Sequence, residues 1–82
     1  MSEAAAPRGR PPKDHTDTTP GWARRLRAAR EAAGLTIGEL ADRVGLEREA
    51  VARYDAGERT PNVLVGLALA RALGADPRDL YG

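Results

Sequence analysis

After residue 20 the apolar positions recur at helical spacing, and glycines cut them into short lengths. Trp22, Leu26, Ala29 and Ala33 share one stripe, while Arg24, Arg27 and Glu31 face elsewhere. This predicts a helix over Trp22–Ala33, capped by Thr19, with Pro20 in a tolerated first-turn position and Gly34 as its end. Thr36 followed by Glu39 forms a capping box for a second helix that turns Leu40, Ala41 and Val44 inward and stops at Gly45. In the third, "EREAVARYDAG", Val51 and Tyr54 point one way, Glu47, Arg48, Glu49, Ala52 and Arg53 point the other, and Gly57 ends the helix. Asn62 caps a fourth helix, Val63–Leu73, closed by Gly74, and Asp76-Pro77 begins a last short turn carrying Leu80 and Tyr81. No segment alternates as a strand. The expected fold is all-α, four helices plus a fifth turn, over residues 20–82.

The first nineteen residues have no such pattern. The first twenty hold four of the six prolines and no Val, Ile or Leu, so residues 1–19 read as a disordered basic, Pro-rich arm. His15, the sole histidine, is expected to be solvated there. With no cysteine there is no disulfide framework or thiolate chemistry, and no paired-carboxylate pocket suggests catalysis. No enzyme activity, metal or cofactor is expected. The N-terminus lacks the apolar stretch of a signal peptide, and Val63–Ala70 is too short to span a bilayer, so a cytoplasmic protein is expected. The net charge is only +1, but twelve of the thirteen basic residues are Arg and four of them fall within Arg24–Arg30. Arg is the planar donor suited to phosphates and guanine edges.

Leu35–Pro61, "LTIGELADRVGLEREAVARYDAGERTP", carries the function. Two short helices meet across a glycine turn, with a small residue, Ala41, where they approach closely, which is the spacing of a helix-turn-helix. Leu35, Thr36, Leu40, Ala41, Gly45, Leu46, Val51, Asp55, Gly57 and Pro61 stand where the lambda-repressor-like, Cro/CI-type (XRE) helix-turn-helix family has its common residues, Asp55 replacing Glu. The chain resembles that family from about Leu26 to Tyr81, with "LRAARE" and "LARALGADPRDLY" matching the flanks. Two positions depart from the pattern. Ile37 replaces a common Gln, and Glu47 replaces the usual Ser or Thr cap of the recognition helix.

The resemblance implies a compact lambda-repressor-like bundle in which Glu47–Asp55 is the recognition helix, entering the major groove of double-stranded DNA. Arg48 and Arg53 are then the expected readers of guanine, Glu49 of cytosine and Ala52 of a thymine methyl. Glu47 either contacts cytosine or penalises non-specific binding. Thr36 and the backbone N–H groups at the start of the second helix, Ile37 included, are expected to hold phosphate, as are Arg27, Arg43, Arg59 and Thr60. Arg30 and Asp55 are expected to form a structural ion pair. A charged face on a short helix is more often merely solvated, and the motif is what favours readout.

The fourth helix is apolar nearly all round. Val63, Leu67, Ala70 and Leu73 form its expected inward stripe, leaving Leu64, Val65, Ala68 and Ala72 on a face that a homodimer would cover. Two recognition helices about 34 Å apart would suit a palindromic operator. The leading expectation is a homodimeric transcriptional repressor. A protein-interaction module of antitoxin or coactivator type, gripping a protein partner through the fourth helix, is the alternative. With the chain ending at Gly82, the DNA-binding head of a longer sensor is the least expected reading. "PRGRPPK" at Pro7–Lys13 resembles the core of an AT-hook, which implies that Arg8 and Arg10 enter an A·T-rich minor groove.

Overall fold

The computed structural model describes residues 13–82; the AT-hook-like Arg8 and Arg10 lie outside the described residues. Five helices follow one another: α1 Gly21–Ala32, α2 Ile37–Val44, α3 Arg48–Ala56, α4 Val63–Leu73 and α5 Pro77–Tyr81. No strand occurs among the described residues. Local chemistry sets most of the boundaries. The Thr36 hydroxyl accepts from Glu39 N at 3.1 Å while the Glu39 carboxylate accepts from Thr36 N at 2.8 Å, so the capping box satisfies two donors that the helix leaves orphaned. Asn62 Oδ1 accepts from Val65 N at 2.8 Å and starts α4. Asp76 does the same for Arg78 N at α5, with Pro77 in the first turn.

The start of α1 differs from the sequence expectation. Thr19 does not cap it; its hydroxyl accepts from Thr16 N at 2.8 Å and closes a turn of its own, and Pro20 takes the N-cap position without a side-chain bond. The helix is displaced one residue toward the N-terminus. Ala23, Leu26 and Arg30 are its buried residues, and Ala33 is exposed.

Leu26, Leu40, Val51 and Leu69 are fully enclosed, and Ile37, Ala41, Tyr54, Ala70 and Leu80 complete the core. α2 packs on α3, α1 on α3 and α5, and α4 on α2 and α5. The inward line of α4 is Gly66, Leu69 and Ala70, with Leu73 packed beside them. Val63 and Leu67, expected inside, point outward instead. A helix apolar on every side carries no periodicity from which its phase can be read. The phase is set by close approach of α5: the Tyr81 hydroxyl donates to Gly66 O at 3.0 Å, and a Cβ on Gly66 would meet the ring at 3.3 Å.

Candidate nucleic-acid interface

The interface begins with how α3 is held. Val51 and Tyr54 anchor one face of it in the core, and Asp55 anchors its last turn. Arg30 Nε donates to Asp55 Oδ1 at 2.8 Å and Arg27 Nε donates to Asp55 Oδ2 at 2.7 Å, all with little solvent contact. A charge-assisted pair of this kind is short and directional, and it locks α3 to α1. Arg30 also donates to Leu35 O at 2.8 Å, tying in the loop between α1 and α2.

Two glycines shape the ends of the motif. Gly45 takes φ +71 in the turn between α2 and α3 with nothing near its Cβ position, so conformation alone selects it. At Gly57, φ is +78, and a Cβ there would lie 2.8 Å from Pro20 Cδ and 3.1 Å from Ala23 Cβ. Gly57 therefore serves both a left-handed turn and a close crossing of α1.

The opposite side of α3 is open. Glu47, Arg48, Glu49 and Arg53 are exposed, and Ala52 is half-buried among them. Glu47 is the N-cap residue but makes no side-chain cap bond, in keeping with its replacement of a hydroxyl residue. The Arg48 stem passes 4.0 Å from the Cβ position of Gly38, bringing the start of α3 against the start of α2. The side chains of Arg43, Arg48 and Arg53 have no hydrogen bond or ion pair among the described residues. Thr36 sits half-buried at the head of α2, and Thr60 is exposed in the loop after α3. The exposed Arg59 guanidinium lies 5.9 Å from the Tyr54 ring centroid.

One residue expected to meet phosphate, Arg27, is placed otherwise, and a second, Ile37, keeps its expected backbone N–H while its side chain turns inward. The Ile37 side chain is 8% exposed and belongs to the core, which leaves only its backbone N–H at the helix start. The Arg27 side chain is 14% exposed and fully engaged, because Asp55 offers it a buried counter-charge. The rest of the arginine cluster in α1 is also committed to the fold. Arg24 donates to Thr16 O, and Arg25 donates to Leu80 O at 2.8 Å. Composition alone marks these arginines as donors suited to phosphate and guanine. Their role is to fasten the chain's other segments to α1.

Some functional geometry had no signal in the sequence pattern. His15 is half-buried, not solvated, with Nε2 2.8 Å from the Asp55 carbonyl oxygen. Of the four residues expected on a free α4 face, Leu64 is 78% exposed, but Val65 and Ala72 pack against the core and Ala68 is half-buried. The outward apolar residues are Val63, at 76%, Leu64 and Leu67, at 38%. Leu67 borders an open apolar cleft of about 430 Å³ lined also by Trp22, Pro61, Pro77 and Tyr81.

A family model for the helix-turn-helix, HTH_3, matches residues 26–80, spanning α2, α3 and the elements that hold them. The chain belongs to this helix-turn-helix family. HTH_3 domains of this Cro/CI type are DNA-binding transcription regulators and not enzymes. The chain is 37% identical over 51 residues to an uncharacterized HTH-type transcriptional regulator of Methanothermobacter thermautotrophicus, covering 62% of this chain and 74% of that protein. It is 40% identical over 52 residues to a putative HTH-type transcriptional regulatory protein of Pyrobaculum aerophilum, covering 63% of this chain but only 21% of the other. Among solved structures it is similar to the restriction-modification controller protein C.AhdI from Aeromonas hydrophila, with a TM-score of 0.70 and 38% identity over 74% of this chain and 92% of that one. No helix among the described residues is long and apolar enough to cross a membrane.

Proposed function

We propose that this HTH_3 domain is a sequence-specific transcription regulator that binds a palindromic operator as a homodimer and represses by occupying it. The observation that carries this reading is the pair Arg48 and Arg53, exposed and unpaired among the described residues on a helix whose other face is anchored by Asp55. A rigid helix with free guanidinium groups can present bidentate donors to guanine O6 and N7 without first losing internal bonds. Glu49, Ala52 and Glu47 complete the base-reading surface. Phosphate contacts come from Thr36, the N–H groups at the start of α2 including that of Ile37, Arg43, Arg59 and Thr60, because a helix N-terminus concentrates unpaired donors. Arg8 and Arg10 add minor-groove contacts on A·T-rich flanks. Similarity to a restriction-modification controller favours a role in controlling transcription.

The exposed Val63, Leu64 and Leu67 favour the homodimer, since clustered outward apolar residues mark an interaction surface. The same residues support a second reading, a protein-interaction module in which a different protein covers α4. Selection of bound duplexes from a random pool, at a fixed and stated salt, tests the first reading. A two-fold symmetric consensus with G·C pairs in each half-site is the expected result. Recovery of no consensus would overturn it.

A further inference from the structure

Asp55, in the last turn of α3, is held at both its ends. Its carboxylate accepts from Arg27 Nε at 2.7 Å and from Arg30 Nε at 2.8 Å. Its main-chain carbonyl accepts from His15 Nε2–H at 2.8 Å. That carbonyl is among the last four of α3, which a helix leaves without helical partners. Its neighbours Arg53 O and Tyr54 O are taken by Glu58 N and Gly57 N, so His15 completes the C-terminal cap from outside the helix. Arg27 Nη2 also donates to Lys13 O at 2.6 Å, which closes a ring of contacts through Lys13, Arg27, Asp55 and His15. The Lys13 ammonium pairs with Glu58, and Thr19 Cγ2 lies 3.3 Å from the position of a Cβ on Gly57. All of these contacts fall on residues 55–58, and the chain then runs directly into Arg59 and Thr60, both exposed. The Arg59 guanidinium lies over the Tyr54 ring and has no hydrogen bond or ion pair among the described residues.

We propose that His15 is a positioning residue for DNA binding: by capping α3 it holds the loop that carries Arg59 and Thr60 in the place where they meet phosphate. The inference rests on the DNA-binding reading above, in which those two residues contact the backbone. A loop ordered before binding loses less conformational freedom when it engages, and the difference appears as affinity. Without the imidazole, Asp55 O turns to water and the exit of α3 frays, so Arg59 samples more positions. The core stays assembled, because it contains no residue of the segment 13–19. Phosphate contacts fix register but carry no sequence information, so the effect of His15 is the same on every duplex. It also appears in the salt dependence, because each phosphate neutralised releases counterions.

The test uses the full chain, one operator duplex recovered by selection and one random-sequence duplex of the same length. Dissociation constants are measured over a series of salt concentrations, with thermal melting alongside. Arg59→Ala is expected to weaken both duplexes several-fold and to reduce the slope of log K against log salt by about one. His15→Ala is expected to shift both quantities in the same direction by a smaller amount, on both duplexes, while remaining folded at the assay temperature. In the Arg59→Ala background it should add nothing further, as for two residues that act through one contact. His15→Gln, whose amide can donate to the same carbonyl, should retain the wild-type slope and affinity. An unchanged slope in His15→Ala, or a loss that persists in full beside Arg59→Ala, would overturn the proposal. A loss confined to the operator duplex would place the effect on base reading and overturn it too. So would a His15→Ala chain unfolded at the assay temperature, which would assign His15 to the fold alone, or an Arg59→Ala variant indistinguishable from the wild type. A wild type that binds neither duplex would instead overturn the DNA-binding reading on which the proposal stands.

Discussion

Arg30 Nε lies 2.8 Å from Asp55 Oδ1, with both side chains buried, and this contact fixes α3 to α1. Asp55 is shared with Arg27, so its removal strands two guanidinium groups, one of them deep in the core. Leaving a buried charge without its partner typically costs about 3–5 kcal/mol. A small domain has a total stability on the order of 5–15 kcal/mol. Asp55→Ala is therefore expected to remove a large share of the stability, read as a large fall in the urea midpoint. A midpoint within experimental error of the wild type would mean that the pair does not support α3.

The two turn glycines separate conformation from packing. Gly45→Ala places a Cβ in open space and incurs only left-handed strain, roughly 1–2 kcal/mol. Gly57→Ala incurs the same strain and also drives Pro20 and Ala23 away from positions 2.8 and 3.1 Å from the new atom. Chemical denaturation should rank Gly57→Ala as clearly the more destabilising. Equal losses would mean that the crossing of α1 over α3 yields freely.

These two positions also mark what could be read from the sequence. The capping box of Thr36 and Glu39, the Asn62 cap and the glycine stops are local, since each depends on residues within a turn of one another, and they located α2, α3 and α4 closely. The exposed side of α3 was legible because Val51 and Tyr54 supply a clear inward phase. The orientation of α4 was not, because apolar residues on every side leave no phase, and the contacts of Leu69 and Ala70 in the core and of Tyr81 against Gly66 select one. Nor was the fate of Arg24, Arg25 and Arg27, whose partners are three backbone carbonyls and one carboxylate that tertiary folding brings to them. A carbonyl acceptor has no sequence signature, and so the docking of His15 on Asp55 left no trace in composition.

Leu64 offers the direct check on assembly. It is exposed and carries no core contact, so Leu64→Glu should leave the fold intact. If α4 forms the homodimer face, sedimentation equilibrium should show wild-type dimer converting to monomer in the variant, with weaker binding to a two-half-site duplex. An unchanged mass distribution would move the interface elsewhere.

Alkaline pH should loosen α5. Burial raises the Tyr81 phenol above its ordinary value of 10.0, because the phenolate is poorly solvated there. For a group with a raised folded pKa, its contribution to stability is fully present below the ordinary value and is lost as pH rises through the folded one. Tyr81→Phe should remove this alkaline loss while costing about 0.5–1.5 kcal/mol at neutral pH, through the missing bond to Gly66 O. Identical alkaline unfolding profiles for the two proteins would contradict this assignment.

The central claim is that α3 reads DNA through Arg48 and Arg53. Its most direct test is a titration of one selected operator duplex, at fixed salt, with the wild type and with Arg48→Ala/Arg53→Ala. Both side chains are exposed, so the variant should melt like the wild type. Each lost guanine contact is expected to cost about 1–3 kcal/mol, so the pair should weaken specific binding by roughly thirtyfold or more while non-specific binding changes little. Specific affinity within a few-fold of the wild type would contradict the account and leave α3 without the role assigned to it.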